Sequence, residues 1–245
     1  MKIVLLILDF FDFFHKRKLI NFLKKKVKLK NIDLLIDVGA HTGETIDLFS
    51  ENFLINKIIS FEASPKNFQK LLVRKNALEK KYGNTDIILE NIALGNENKK
   101  INIKEFCETS SSTIQDIDED SKYYKKKFKL LNFFGNNKIY DEVEIHLTKF
   151  QEYIKLKNIN YIDFLKIDTE GYEYEILKGL GESIKDVNFI YFEHHYDLML
   201  KKNYTFTDIH KILKMNNFSQ IYKINMPFRK VFEYIYQNDK QHKND

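Results

Sequence analysis

The sequence predicts an α/β fold built on an open, largely parallel sheet, and three stretches carry that prediction. In Leu34 to Glu44, LLIDVGAHTGE, an apolar run ends in Asp37 and turns at once through Gly39-x-x-x-Gly43. It then enters a pattern with Ile46, Phe49 and Phe53 at helical spacing. In Lys57 to Pro65, KIISFEASP, a second apolar run ends in Glu62, and Ser64 and Pro65 fit an N-cap and a first helical position. In Tyr161 to Asp168, YIDFLKID, the run is nearly continuous in apolar character, as a central parallel strand buried on both faces requires. It opens into Thr169-Glu170-Gly171, and a helical pattern follows over Tyr172 to Leu180. Strand, turn, helix, three times over, is the βα repeat of a parallel sheet.

Composition sets the outer bounds. The chain has 245 residues, enough for one α/β domain with a buried core. Apolar residues make up 43% and charged residues 31%, which marks a globular chain and excludes a disordered one. The net charge is only +5, 40 basic against 35 acidic residues, so a general nucleic-acid surface is not expected. Cys107 is the single cysteine, which excludes an intramolecular disulfide and makes a reducing compartment the default.

Residues 1–32 are read as a basic amphipathic N-terminal helix. The apolar run Ile3 to Leu8 is far too short to span a bilayer, and no small-residue cleavage site follows it. Lys16 to Lys30 then carries eight Lys or Arg and no acid, threaded with Leu19, Ile20, Phe22, Leu23 and Val27. Such a helix can lie on an anionic membrane face, or pack on its own domain with a solvated basic face. The expected location is cytoplasmic, with peripheral contact at the inner membrane face open to residues 1–30.

The main domain is placed at residues 33–236. Its second helix begins at Ser64 and is expected to carry Phe68, Leu71 and Leu72 inward. Asp86 to Leu94 reads as a third strand and its exit, with Asn91 and Ala93 beside the end of the second. Residues 96–147 break the alternation. Lys100 to Phe106 and Val143 to Leu147 read as strands of an inserted edge hairpin. Between them lie Ser110 to Thr113, an acidic run Asp116 to Asp120 and a basic run Lys122 to Lys129. Thr148 to Leu156 is expected to be a short helix. Asn188 to Glu193 reads as a strand whose end carries Glu193, His194 and His195. Thr205 with Asp208 fits a capping box, and Phe218 to Ile224 and Val231 to Tyr236 are two last strands around a turn at Pro227. Residues 237–245 are a polar tail.

The glycine turn and Glu62 suggest a ligand. A residue without Cβ lets backbone approach a bound molecule, and ligands sit at the carboxyl ends of strands in open α/β sheets. An acidic residue about 20 positions after such a turn can accept hydrogen bonds from both hydroxyls of a ribose. Ala40 and His41 fill the turn's interior, so it is not the G-x-G-x-x-G dinucleotide fingerprint, and no phosphate loop of the G-x-x-x-x-G-K-[ST] type occurs. A sulfonium nucleoside without a pyrophosphate, S-adenosylmethionine, fits better than NAD or ATP. Two alternatives stay open: an NAD-linked oxidoreductase on a similar sheet, and a non-catalytic scaffold at a membrane surface.

IDVGAHTGE, SFEASP, NIALG and FLKIDTEGYEYEILKG together resemble the FkbM-type methyltransferases, over roughly residues 33–220, with LKIDTEG the most specific piece. The resemblance implies a class I methyltransferase fold, a Rossmann-like doubly wound sheet closed by an antiparallel C-terminal hairpin. It implies S-adenosylmethionine as methyl donor and a hydroxyl acceptor on a sugar, glycan or other secondary metabolite. By position, Asp37, Gly39 and Gly43 match the cofactor turn, with Ala40 and His41 inside it. Glu62, followed by Ala63, matches the ribose ligand, and Asp168 matches the acidic residue beside the cofactor's reacting end. Asn91 is placed near the adenine.

A hydroxyl acceptor must lose its proton as it attacks. Asp168, Glu193 and His194 come from the ends of neighbouring strands and are the candidates, Asp168 as cofactor orienter or base and Glu193 or His194 as the alternative base. Asp168 and Glu193 could also hold a divalent cation, but no third oxygen ligand stands at a recognisable spacing, so no metal is expected.

Overall fold

The computed structural model describes residues 14–106, 112–121, 124–125, 140–196, 200–226 and 230–240. Its strands in chain order are β1 (Asn31–Val38), β2 (Leu54–Phe61), β3 (Asp86–Glu90), β4 (Ala93–Gly95), β5 (Lys99–Phe106), β6 (Ser112–Thr113), β7 (Asp116–Ile117) and β8 (Tyr140–Lys149). The second half adds β9 (Ile162–Ile167), β10 (Val187–His195), β11 (Leu200–Lys201), β12 (Phe218–Asn225) and β13 (Val231–Asn238). The helices are α1 (14–27, its last turn Leu23–Val27 wound as a π-helix), α2 (Glu44–Ser50), α3 (Pro65–Lys81), α4 (Phe150–Leu156), α5 (Glu173–Leu180) and α6 (Phe206–Met215).

Seven strands form the main sheet in the order β12-β13-β10-β9-β1-β2-β3. The five from β3 to β10 are parallel, while β13 runs antiparallel to both β10 and β12. This is the doubly wound sheet with an antiparallel C-terminal hairpin that the sequence led us to expect. The chain leaves β1 in opposite directions toward β2 and β9, so the crevice above the β1 and β9 ends is the switch point where such sheets bind ligands.

Strand alternation sends neighbouring residues to opposite faces of the sheet. Leu35 joins a core layer with Ile46, Phe49, Leu71 and Phe164, under α2 and α3. Ile36 joins the layer on the other side with Phe150, Ile176, Leu180 and Ile209, under α4, α5 and α6. Local signals fix the helix starts. Ser64 caps α3 by accepting from Asn67 N at 3.1 Å, and Thr205 and Asp208 form the capping box of α6.

The amphipathic α1 uses its apolar side on this same domain. Leu19, Ile20 and Leu23 are buried with Leu35, Phe164, Phe189 and Ile235, while Lys16, Arg17, Lys18, Lys24, Lys25 and Lys26 stay exposed. Burying each such aliphatic side chain contributes about 1.5–3 kcal/mol, which commits Leu19, Ile20 and Leu23 to packing, while Phe22 and Val27 are half-buried. Among the described residues no helix is long and apolar enough to cross a membrane.

Several expectations are corrected. Residues 96–147 do make an antiparallel hairpin of β5 and β8, but it is not an edge of the main sheet. It belongs to a separate sheet, β4-β8-β5-β6, which packs Ile103, Ile145 and Leu147 into the α5 side of the core. The stretch Asp86 to Leu94 is therefore two strands, because β4 leaves the main sheet to pair with β8. The α3 helix turns Asn67, Leu71 and Leu78 inward; Phe68 is half-buried and Leu72 exposed, so the buried stripe lies one position off the predicted one. Thr148 and Lys149 stay in β8, and Gln237 and Asn238 stay paired in β13 rather than opening the tail. Residues 1–13, Cys107, Ser110, Ser111, most of the basic run after Asp120, Pro227 and 241–245 lie outside the described residues.

Candidate active site

One cavity of about 760 Å³ opens over the switch point, within the roughly 300–1,000 Å³ of small-molecule pockets. It runs from the β2 end, past β1 and β9, to β10 and β13.

At the β2 end stands Glu62, only 4% exposed. Its Oε2 accepts from His41 N at 2.7 Å and its Oε1 from Ser64 N at 2.9 Å. Two backbone donors thus fix the carboxyl group in one orientation and leave further lone pairs toward the cavity. Burial pushes its pKa up to about 7, against the lowering effect of the two backbone hydrogen bonds. The donor at His41 exists because the turn is wound so tightly. Gly39 N and Ala40 N both donate to Phe61 O at 2.9 Å, and His41 itself takes φ 50°. Gly39 has φ 84°, and a Cβ there would fall 1.9 Å from the Asp168 carbonyl oxygen, so β1 and β9 can meet only at a glycine. Gly43, at φ 95°, starts α2 beneath the turn and is not in the cavity wall. Ala40, His41 and Ala63 line the wall. Asn91 does not. Its Nδ2 donates to Glu62 O at 2.7 Å, so it stitches the β2 and β3 ends from outside.

In the middle, Lys166 Nζ lies 3.2 Å from Asp37 Oδ1, 3.3 Å from Asp168 Oδ2 and 3.4 Å from Gly39 O. Asp37 is fully buried beneath the turn and does not face the cavity, whereas Asp168 does. Burial raises the Asp37 pKa and Lys166 opposes that rise. Burial alone would lower Lys166, but Asp37 and Asp168 outweigh it and hold the ammonium charged. Lys166 is the residue our sequence reading missed. The available signal was a lysine in an otherwise apolar central strand, since a buried ammonium needs paired carboxylates.

Toward β10, Glu193 faces the cavity and His194 does not. Successive strand residues point to opposite faces, and His194 lies on the far one, against Tyr196, Tyr204 and Phe206 with ring centroids 4.7, 6.0 and 5.8 Å away. Burial lowers its pKa to about 3, which keeps it neutral, so His194 is corrected from candidate base to core histidine. Burial raises the Glu193 pKa well above the ordinary carboxyl range, and Asp168, Glu233 and Glu170 reinforce the shift. Glu170, at φ 50°, stands outside α5; its Oε2 is 3.3 Å from His195 Nε2. The buried Glu173 serves the first turn of α5, accepting from Gly171 N at 2.9 Å and Tyr204 OH at 2.6 Å. The cavity wall is completed by Ser112, Thr113 and Ile114 from the second sheet, and by His15, Met226 and Glu233. Among the described residues no group of three or more His, Cys, Asp or Glu is arranged to hold a metal ion.

A family model described as a methyltransferase FkbM domain matches residues 37–220. Among solved structures, the methyltransferase FkbM from Methylobacillus flagellatus KT aligns at a TM-score of 0.53 and 14% identity, over 84% of this chain and 43% of its own. The chain thus spans less than half the length of that relative. The magnesium protoporphyrin IX methyltransferase from Synechocystis PCC 6803, solved with bound SAM, aligns at a TM-score of 0.50 and 10% identity, over 92% of this chain and 78% of its own. At these identities the likeness is one of fold. No curated protein matches the chain.

Proposed function

The chain belongs to the FkbM methyltransferase family, whose methyl donor is S-adenosylmethionine, and from that premise we propose that it methylates a hydroxyl group on a sugar, glycan or secondary metabolite. The observation that carries this reading is one cavity joining a buried, backbone-held carboxylate at Glu62 to the carboxylate of Asp168.

These residues fit the cofactor. Glu62 keeps acceptor capacity for two ribose hydroxyls, and Gly39, which lines the cavity, lets the ends of β1 and β9 close together there. Ala40, His41 and Ala63 would line the nucleoside, and Asp168 would face its charged amino-acid and sulfonium end, steadied by Lys166. When bound, S-adenosylmethionine would supply an electrophilic methyl group, with its sulfur as the leaving group that keeps the bond's electron pair. The chain's own work is to align the acceptor, exclude water and receive the acceptor's proton. Glu193, which faces the cavity from β10, would border the acceptor. Calorimetry with S-adenosylhomocysteine and with NAD tests the reading. Binding of the first and not the second supports it; tight NAD binding alone overturns it. Transfer of label from S-adenosylmethionine to extracted glycans, lipids and metabolites then identifies the acceptor.

The basic face of α1 supports a partner reading as well. We propose that it contacts an anionic membrane surface, since its cations are exposed while its apolar stripe is packed. Sedimentation with anionic vesicles tests this, and no co-sedimentation at low salt overturns it.

A further inference from the structure

The acceptor's proton needs a destination, and the three residues singled out from sequence do not provide a good one. Asp168 is tied to Lys166 at 3.3 Å. His194 is on the wrong face of β10. Glu193 sits among Asp168, Glu170 and Glu233, which favour its neutral, protonated form, and a protonated carboxyl donates a hydrogen bond rather than taking a proton.

A different pair borders the same cavity. His15, on α1, is 4% exposed, and its Nε2 lies 2.7 Å from Oε2 of Glu233, itself 4% exposed, on β13. Among the described residues neither atom has a hydrogen bond. Both residues line the cavity, beside Tyr191 and Glu193. Register explains why they are there. Glu233 is the direct antiparallel partner of Glu193, so two carboxyl groups stand side by side on one face of the sheet. Two carboxylates directly opposed in a sheet would repel, which favours a protonated Glu193, and the His15 ring reaches the other carboxyl group from outside the sheet. Residues 15 and 233 both fall outside the segment 37–220 that the family model matches.

We propose that His15 and Glu233 form a histidine–carboxylate pair that receives the acceptor's proton, making α1 part of the active site. The inference rests on the methyl-transfer reading above. Nε2 lies 2.7 Å from the carboxylate oxygen without a hydrogen bond, and a small ring rotation would close an Nε2–H to Oε2 bond, selecting the tautomer that leaves Nδ1 as the base. As the acceptor oxygen takes the methyl group, its O–H bond breaks, the electron pair stays on oxygen, and the proton goes to Nδ1. Glu233 then stabilises the imidazolium, the role a carboxylate plays behind a histidine base. The proton leaves to solvent after the product does. Glu193, protonated, can donate a hydrogen bond to the acceptor.

The test has three arms. Nitrogen-labelled histidine in the wild-type protein, read by long-range proton–nitrogen NMR at pH 7.5 and assigned sequentially in the wild-type spectrum, should show His15 protonated at Nε2 only. A proton fixed on Nδ1, or a fully protonated ring, overturns the proposal whether or not the variant folds. His15→Gln should bind S-adenosylhomocysteine within about twofold of wild type. It should transfer label to extracted glycans, lipids and metabolites at least about a hundredfold more slowly, since a positioned base contributes about 10²–10⁴-fold. Transfer within about threefold of wild type assigns His15 to packing alone. Failure of the wild-type protein to bind S-adenosylhomocysteine sinks the methyl-transfer reading itself, which the calorimetry separates from any result on His15.

Discussion

The two ends of the cavity are built on different principles. The Glu62 end comes from neighbours in sequence: the β1 turn and the β2 tip lie about 20 residues apart, and backbone N–H groups do the positioning. Its geometry is set by dihedral angles, at Gly39 above all, and little depends on distant packing. The β10–β13 end brings together residues far apart in the chain, His15 against Glu233, and contacts between side chains do the positioning. A site that must bind one cofactor can be fixed by local backbone.

The largest effect that should separate the two ends is at Asp168, which stands between them. Asp168→Asn keeps the shape and removes the charge facing the cavity. Methyl transfer should drop by at least about a hundredfold, the worth of one preorganised charge beside the reacting centre, and the melting temperature should fall as well, because Lys166 loses one of its two carboxylates. Near-normal turnover would make Asp168 a structural partner of Lys166 only.

Glu62→Ala should affect binding alone. Two ribose hydroxyls lose a charged acceptor, at roughly 1.5–3 kcal/mol for each charge-assisted hydrogen bond. Calorimetric affinity for S-adenosylhomocysteine should fall at least about tenfold, and equal affinity in the variant would remove Glu62 from the site.

The same residue predicts a pH dependence. Its folded pKa is raised from 4.5 to about 7, with burial the main cause. The sign follows from the protonated form being favoured in the folded state. Its contribution to the stability of the ligand-free protein is fully present below about 4.5 and is lost as pH rises through about 7. Ligand affinity moves the opposite way, because the ribose hydroxyls need the carboxylate. Binding of S-adenosylhomocysteine should be about tenfold weaker at pH 6 than at pH 8. A flat profile across that window would mean that Glu62 is already ionised in the folded protein.

The smallest effect is on the outside of α1. Lys25 is exposed, and Lys25→Gln should lower partitioning onto phosphatidylserine vesicles by about fivefold at low salt, the worth of about 1 kcal/mol per cation near the surface. Stability should change by less than about 0.5 kcal/mol. Loss of stability without loss of partitioning would assign the lysine to packing instead.

The sequence by itself determined the sheet, its switch point and the Glu62 end. Those features rest on short-range physics: apolar runs of strand length, a turn whose backbone admits glycine, an N-cap serine before a proline. Each of these can be read within about a dozen residues. Strand–turn–helix at Asp37, Glu62 and Asp168 therefore came out in place. The second sheet was not legible, because β4 is three residues long and its choice of β8 over the main sheet is a long-range pairing. Nor did the pattern tell Glu193 from His194. Which of two adjacent strand residues faces the cavity depends on register and on what covers each side, and here an aromatic layer from α6 and β13 claimed His194. Tertiary structure alone also decided the fate of α1. Its amphipathic pattern suits a membrane and a protein core equally, since both reward burial of the same apolar stripe. Only the exposed surface over β9, β10 and β13 settled where Leu19 and Leu23 went, and with them His15.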